Sequence, residues 1–284
     1  MKKFFVTCLL LAAAGFGLMC WMAWVIDAPF TPDIQTQTEI AQLQAAVDAF
    51  QQDFHVSYIP SRIKLSETGN YPQRDQPNTL DFDSVQYLHK LWPKLDMAPG
   101  CQIDWNGDGR VEGDRTLEGD ECLAFFTGGI PSKSGEAANC LGFANNERDP
   151  TVRNGRRKGP YIFFSSSRLR DLHGRGFFSY LDPYRRRQPY AYFSSYGEPN
   201  GYNRYGDTDC PSLKVWPYAE VFDKSSHFLN ADSCQIISAG RDGRFGPGTD
   251  SPSHAWSPTT ASFVPAEGRD DRSNFYSRQL GVPN

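Results

Sequence analysis

The chain opens on an uncharged run from Phe4 to Ile26, preceded by Lys2 and Lys3 and stopped by Asp27, Pro29 and Pro32. A helix of that length spans a hydrocarbon core of about 30 Å. The two lysines predict a cytoplasmic N-terminus, with the residues after Asp27 on the far side. A cleavable signal peptide competes with this reading, because Ala12-Ala13-Ala14 supplies small residues. The run exceeds the usual apolar segment of about 7–15 residues, which favours an anchor. A second pattern follows a short Pro-containing neck. Ile40, Leu43, Val47, Phe50 and Phe54 recur at steps of three and four, while Glu39, Gln42, Gln44, Asp48, Gln51 and Gln52 take the other face. This spacing predicts an amphipathic helix, capped by Thr36 or Thr38 and ended by Pro60.

Beyond residue 60 the patterns are shorter. A helix is expected over 82–95, with Asp81 and Asp83 as caps or part of a solvated turn. Residues 123–160, rich in Gly, Asn and Arg, are expected as a surface excursion. Tyr161–Phe164, Tyr190–Ser194 and Cys234–Ser238 have the aromatic and β-branched content of strands. The polar, proline-spotted residues after Asp250 are expected to form an extended tail. The expected organisation is therefore 1–27 anchor, 28–60 neck and amphipathic helix, 61–250 extracytoplasmic domain with insertions, and 251–284 tail.

Composition narrows the function classes. A formal net charge of −4 with no basic surplus argues against nucleic acid as a partner. Of seven cysteines, Cys8 and Cys20 fall in the expected anchor. The other five fall where disulfides form, with Cys101–Cys122 and Cys210–Cys234 as candidate pairs and connectivity open. No zinc-type spacing is present, and no nucleophile–base constellation stands out, so an enzyme is not expected. Trp105, Trp216 and the loop Tyr196–Tyr205 could instead offer stacking surfaces to a carbohydrate.

The strongest local chemistry is Asp104-Trp-Asn106-Gly-Asp108-Gly109-Arg110-Val111-Glu112. It matches the start of an EF-hand loop. Side-chain oxygens fall at loop positions 1, 3, 5 and 9, a glycine at 6, and the Arg110 carbonyl at 7. The bidentate glutamate expected at position 12 is replaced by Arg115, leaving Asp114, Glu118, Asp120 or Glu121 as possible substitutes. Ca2+ is the expected ion, against a solvated acidic turn.

Three segments also carry a family resemblance. They are Glu39–Phe50 leading to Tyr58-Ile59-Pro60, then Leu181-Asp182-Pro183-Tyr184 with Gln188–Tyr192, and finally Gln235–Gly246 followed by Asp250. In this order they resemble the major pseudopilins of type II secretion, relatives of the type IV pilins. The resemblance implies an α+β fold: an N-terminal transmembrane helix continuing into an amphipathic helix packed on a small antiparallel sheet, with long loop insertions. It further implies a single-pass inner-membrane location with a periplasmic domain, assembly with other pilin-like subunits or secretion-system components, and a C-terminal calcium site at Asp242 and Asp250. The chain departs from the family in lacking the glutamate that follows the prepilin cleavage glycine, at both Gly15 and Gly17.

Overall fold

The computed structural model describes residues 31–134, 137–185, 187–222, 225–249, 255–257 and 266–283. Contact clustering separates residues 1–35 from residues 36–284. The expected anchor over 1–27 lies outside the described residues. Among the described residues, no helix is long and apolar enough to cross a membrane. The expected single-pass inner-membrane location is corrected on that finding. So is the fold expectation of a transmembrane helix running on into the domain.

Helix α1 covers Pro32–Phe54. Proline suits a first helical position, where its missing N–H would be unpaired in any case. The start therefore lies upstream of Thr36, which is buried within the helix. His55 adopts a left-handed conformation (φ 54°) just past the last turn. The Val56 amide reaches back to the Gln51 carbonyl, so the helix stops before Pro60. The predicted stripe of Ile40, Leu43, Val47, Phe50 and Phe54 is buried in the main core. Phe50 and Phe54 stack at 4.6 Å and meet Phe126, Phe143 and Trp92 edge-on.

The fold is α+β, but among the described residues the single sheet expected is replaced by six small antiparallel ones. Strand β1 (Ile63–Ser66) pairs with β2 (Asp114–Leu117). The pairs β3 (Pro131–Ser134) with β4 (Ala137–Cys140), β5 (Phe143–Ala144) with β6 (Arg157–Lys158), and β7 (Leu169–Arg170) with β8 (Ser179–Tyr180) follow. The three-stranded sheet holds β9 (Ala191–Ser194), and β10 (Ala219–Phe222) pairs with β11 (Ser225–Phe228). In that sheet, β12 (Cys234–Ser238) lies between β9 and β13 (Arg272–Ser273). Tyr192 and Ile236 bring this sheet into the core shared with α1, while Ala191, Phe193 and Ile237 face a second cluster with Trp256, Tyr276 and Leu280. The C-terminal segment is thus folded onto the sheet at its described residues, not an extended tail.

Helix α2 covers Leu80–Leu91, with Thr79 accepting from the Phe82 amide as its cap. Residues Tyr161–Phe164 form no strand. The expected surface excursion instead begins with helix α3, Gly119–Gly128, all of whose residues are buried. Leu123, Phe125 and Phe126 are core; a four-residue apolar run between glycine-rich stretches is too short to show helical periodicity. The five described cysteines are free thiols, so neither Cys101–Cys122 nor Cys210–Cys234 is bonded. Trp105 is fully buried, and Tyr196 and Tyr202 are buried too, which removes them as stacking surfaces.

Candidate functional site

Three acidic clusters merit comparison, and the first is the loop at 104–112. Its backbone is wound around its own side chains. Asp104 Oδ1 accepts from the Asp108 amide (3.1 Å) and Oδ2 from the Gly109 amide (2.9 Å). Asn106 Oδ1 also accepts from the Asp108 amide (3.0 Å), and Asp108 Oδ1 accepts from the Arg110 amide (2.7 Å). These bonds hold loop positions 1, 3 and 5 on the inside of one turn. Gly107 and Gly109 take positive φ, 69° and 84°. At Gly107 a Cβ would strike the Pro131 carbonyl at 2.2 Å; at Gly109 it would meet nothing, so only the backbone conformation calls for glycine. Trp105 turns inward and donates its Nε1 proton to the Ser66 carbonyl (3.2 Å).

Sequence spacing did not reveal the residue beneath this loop. Glu67 follows β1 and is 1% exposed. Its peptide grips the loop at both ends: the carbonyl accepts from Ile103 (3.1 Å) and the amide donates to Gly113 (3.2 Å). Its carboxylate Oε2 accepts from the Glu112 amide (2.9 Å). The Asn106 amide lies close enough to favour the ionised form, whereas burial first, and then Asp104 and Asp108, push the Glu67 pKa above its ordinary value. Oε1 is buried without a hydrogen-bond partner. None of the proposed substitutes for the twelfth ligand sits in this position. Asp114 pairs with Lys64 (3.2 Å), and Glu118, Asp120 and Glu121 belong to the second cluster.

That second cluster lies at the start of α3. Glu118 and Glu121 form a capping box. Arg175 pairs with Glu118 Oε1 (3.1 Å) and Glu121 Oε2 (3.0 Å). Ser212 adds its amide and hydroxyl to Glu118 (2.9 and 2.8 Å). His173 Nε2 and the Ser179 hydroxyl meet Asp120 Oδ2 at 3.0 and 2.6 Å. Burial raises the Glu121 pKa to about 7 against the pull of Arg175, and the hydrogen bond to Asp120 raises that of His173. Glu118, Asp120 and His173 each bring one ligand atom within 4.8 Å of the others, and among the described residues this is the group of His, Cys, Asp and Glu so converged. Two side-chain cations already serve it, however, and both Glu118 oxygens are engaged. The arrangement is that of a buried ion-pair network closing a helix N-terminus.

The third cluster is the C-terminal loop. Asp242 Oδ1 accepts from the Arg244 amide (2.8 Å), and the Asp242 amide donates to Asp270 Oδ2 (3.0 Å). Asp271, fully buried, accepts from the Gly246 amide (2.9 Å) and the Tyr218 hydroxyl (3.2 Å), and its Oδ1 has no partner. Burial, then the nearby Asp270 and Asp242, hold its pKa well above the carboxylate range. The structure thus brings Asp270 and Asp271 to Asp242, whereas Asp250 lies outside the described residues.

Comparisons with models of known families, with curated proteins and with solved structures return no match for this chain.

Proposed function

We propose that this chain is a non-catalytic, calcium-binding module of the pseudopilin kind, serving as a component of a type II secretion or type IV pilus-like assembly. One observation supports the reading above others: the three sequence segments that carry the resemblance meet in space. The Arg168 guanidinium grips Glu39 of α1 with two hydrogen bonds (2.9 and 2.5 Å), and the Tyr190 hydroxyl donates to the same carboxylate (2.8 Å). Asp182 is fully buried and accepts from the Ser238 hydroxyl (2.9 Å), while β9 runs beside β12. The first segment is therefore tied to the second, and the second to the third. Calcium would be held by Asp104, Asn106, Asp108, Glu112 and the Arg110 carbonyl, and in the C-terminal loop by Asp242. Hard oxygen donors on glycine-bearing turns suit that ion. There it would supply structural crosslinking of a carboxylate-rich loop.

The test is covalent capture in the native cell, using a photo-crosslinking residue placed at exposed Gln42 or Gln52 on α1. Pilin-like subunits among the captured partners are expected, and capture of none sinks the assembly reading. A second reading, a calcium-dependent binding module, draws on a cleft of about 320 Å3 beside the loop, lined by Asn106, Gly107, Asp108, Lys133, Arg153 and Phe178. Binding of an acidic glycan that disappears with chelator would favour it.

A further inference from the structure

The loop at 104–112 matches the EF-hand pattern at positions 1, 3, 5, 6, 7 and 9 and lacks the residue that closes it. At position 12 stands Arg115, whose Nη1 is turned back onto the Asp114 carbonyl (3.1 Å). An EF-hand needs a carboxylate from outside the first nine positions to finish its oxygen shell. Glu67 is the buried carboxylate that reaches this loop from outside it. It comes from the end of a different strand, yet it is bound to the loop by backbone at both ends and by its own carboxylate at loop position 9. One of its oxygens is buried and unpartnered. The charges that act on it most strongly are two acidic ones, Asp104 and Asp108. Among the described residues no side-chain cation pairs with it, and a carboxylate buried beside two others is costly unless a cation joins it. The contrast with Glu118 and Glu121, which share Arg175, is direct.

We propose that Glu67 is the missing closing ligand, so that β1 and the loop at 104–112 together form one split calcium site. The inference rests on the calcium reading of the loop and adds to it the ligand that local spacing lacks. It also separates this site from a purely local acidic turn, because a local turn has no use for a residue on β1.

The experiment is calorimetric titration of the full chain with CaCl2, alongside Glu67→Gln and Asp108→Ala, with thermal melts in EDTA. The parent is expected to bind calcium and Asp108→Ala, which removes the ligand oxygen, to lose that binding. Glu67→Gln should weaken it at least tenfold while leaving the calcium-free melting temperature unchanged or higher, since removing the charge relieves repulsion from Asp104 and Asp108. If Glu67 only anchored loop amides, Glu67→Gln would lower the calcium-free melting temperature and leave affinity intact; that result overturns the inference and spares the calcium reading. Absence of calcium binding in the parent overturns both. Binding that survives Asp108→Ala places the ion elsewhere and overturns the split site. Should Glu67→Gln fail to fold, Glu67→Asp keeps the charge but withdraws it by one methylene. It should show the same loss of affinity, and unchanged affinity again overturns the assignment.

Discussion

The loop at 104–112 and the start of α3 are both dense in carboxylates, and they are built on opposite terms. At α3, Glu118, Asp120 and Glu121 are buried with Arg175 and His173 beside them, and Ser179 and Ser212 supply further donors. At the loop, Asp104, Asp108 and the buried Glu67 accept from backbone amides and the Asn106 side chain, while the Arg153 guanidinium donates to the Gly107 carbonyl. Among the described residues, the arginine at α3 bonds carboxylates and the one at the loop bonds a main-chain carbonyl, which leaves room at Asp104, Asp108 and Glu67 for a cation from solution. Geometric convergence alone would have ranked the two clusters the other way, since among the described residues it is Glu118, Asp120 and His173 that crowd within 4.8 Å. Charge balance is the more telling property, because a metal ion at α3 would have to compete with a guanidinium already in place.

The largest effect that would test this contrast is Arg175→Ala. It leaves two buried carboxylates without their partner and should cost about 3 kcal/mol of stability, read from a urea midpoint. A loss well under half that would mean the network is solvated and the contrast is false. Next comes calcium itself. At a free concentration of 100 times the dissociation constant, one site should stabilise the parent by about 2.7 kcal/mol relative to EDTA. Asp108→Ala should remove that increment, whereas Arg175→Ala should keep it.

Acidity should move the two regions in opposite directions. Glu121 ionises near 4.5 when unfolded but at about 7 when folded. The folded state therefore holds its proton more tightly, and this contribution is complete below about pH 4.5 and is lost as the pH rises to about 7. His173, raised above its ordinary 6.5, acts with the same sign: its contribution is present below 6.5 and fades as the pH climbs through its folded value. Calcium-free melting temperature should thus fall between pH 5 and 8, with a shallower fall in Glu121→Gln. Calcium affinity should instead fall as the medium becomes acid, because protons compete with the ion for carboxylate ligands. The smallest effect is Gly109→Ala. With no steric obstacle, it should cost only the left-handed backbone term of about 1 kcal/mol, and equally with or without Arg175.

Much of this was readable along the chain where neighbours in sequence are neighbours in space. The apolar stripe of α1 follows from a periodicity of three and four. Strand β12 is found at Cys234–Ser238 as its composition indicates, and the turn-forming order of Asp104, Asn106, Asp108 and Gly109 describes the loop's own hydrogen bonds. What could not be read is what other elements bring. Glu67 sits in an unremarkable Leu-Ser-Glu-Thr stretch, and Arg175 and His173 lie in a glycine-rich segment that resembles any surface loop. Trp105 has the polar sequence neighbours of a surface aromatic, yet it is fully buried and bonded to the Ser66 carbonyl of β1. The fold after Asp250 escaped notice because a two-residue strand, Arg272–Ser273, has no periodicity to detect.

The grip of Glu67 on both ends of the loop, through Ile103 and Gly113, has a thermodynamic corollary. In the unfolded chain the two parts are joined only by a long flexible tether, and bringing them together costs loop-closure entropy that no ion alone would repay. In the folded chain that closure is complete before any ion arrives. Calcium would then discriminate finished molecules from unfinished ones, acting as a late check on folding and leaving the early steps of chain collapse to the aromatic core.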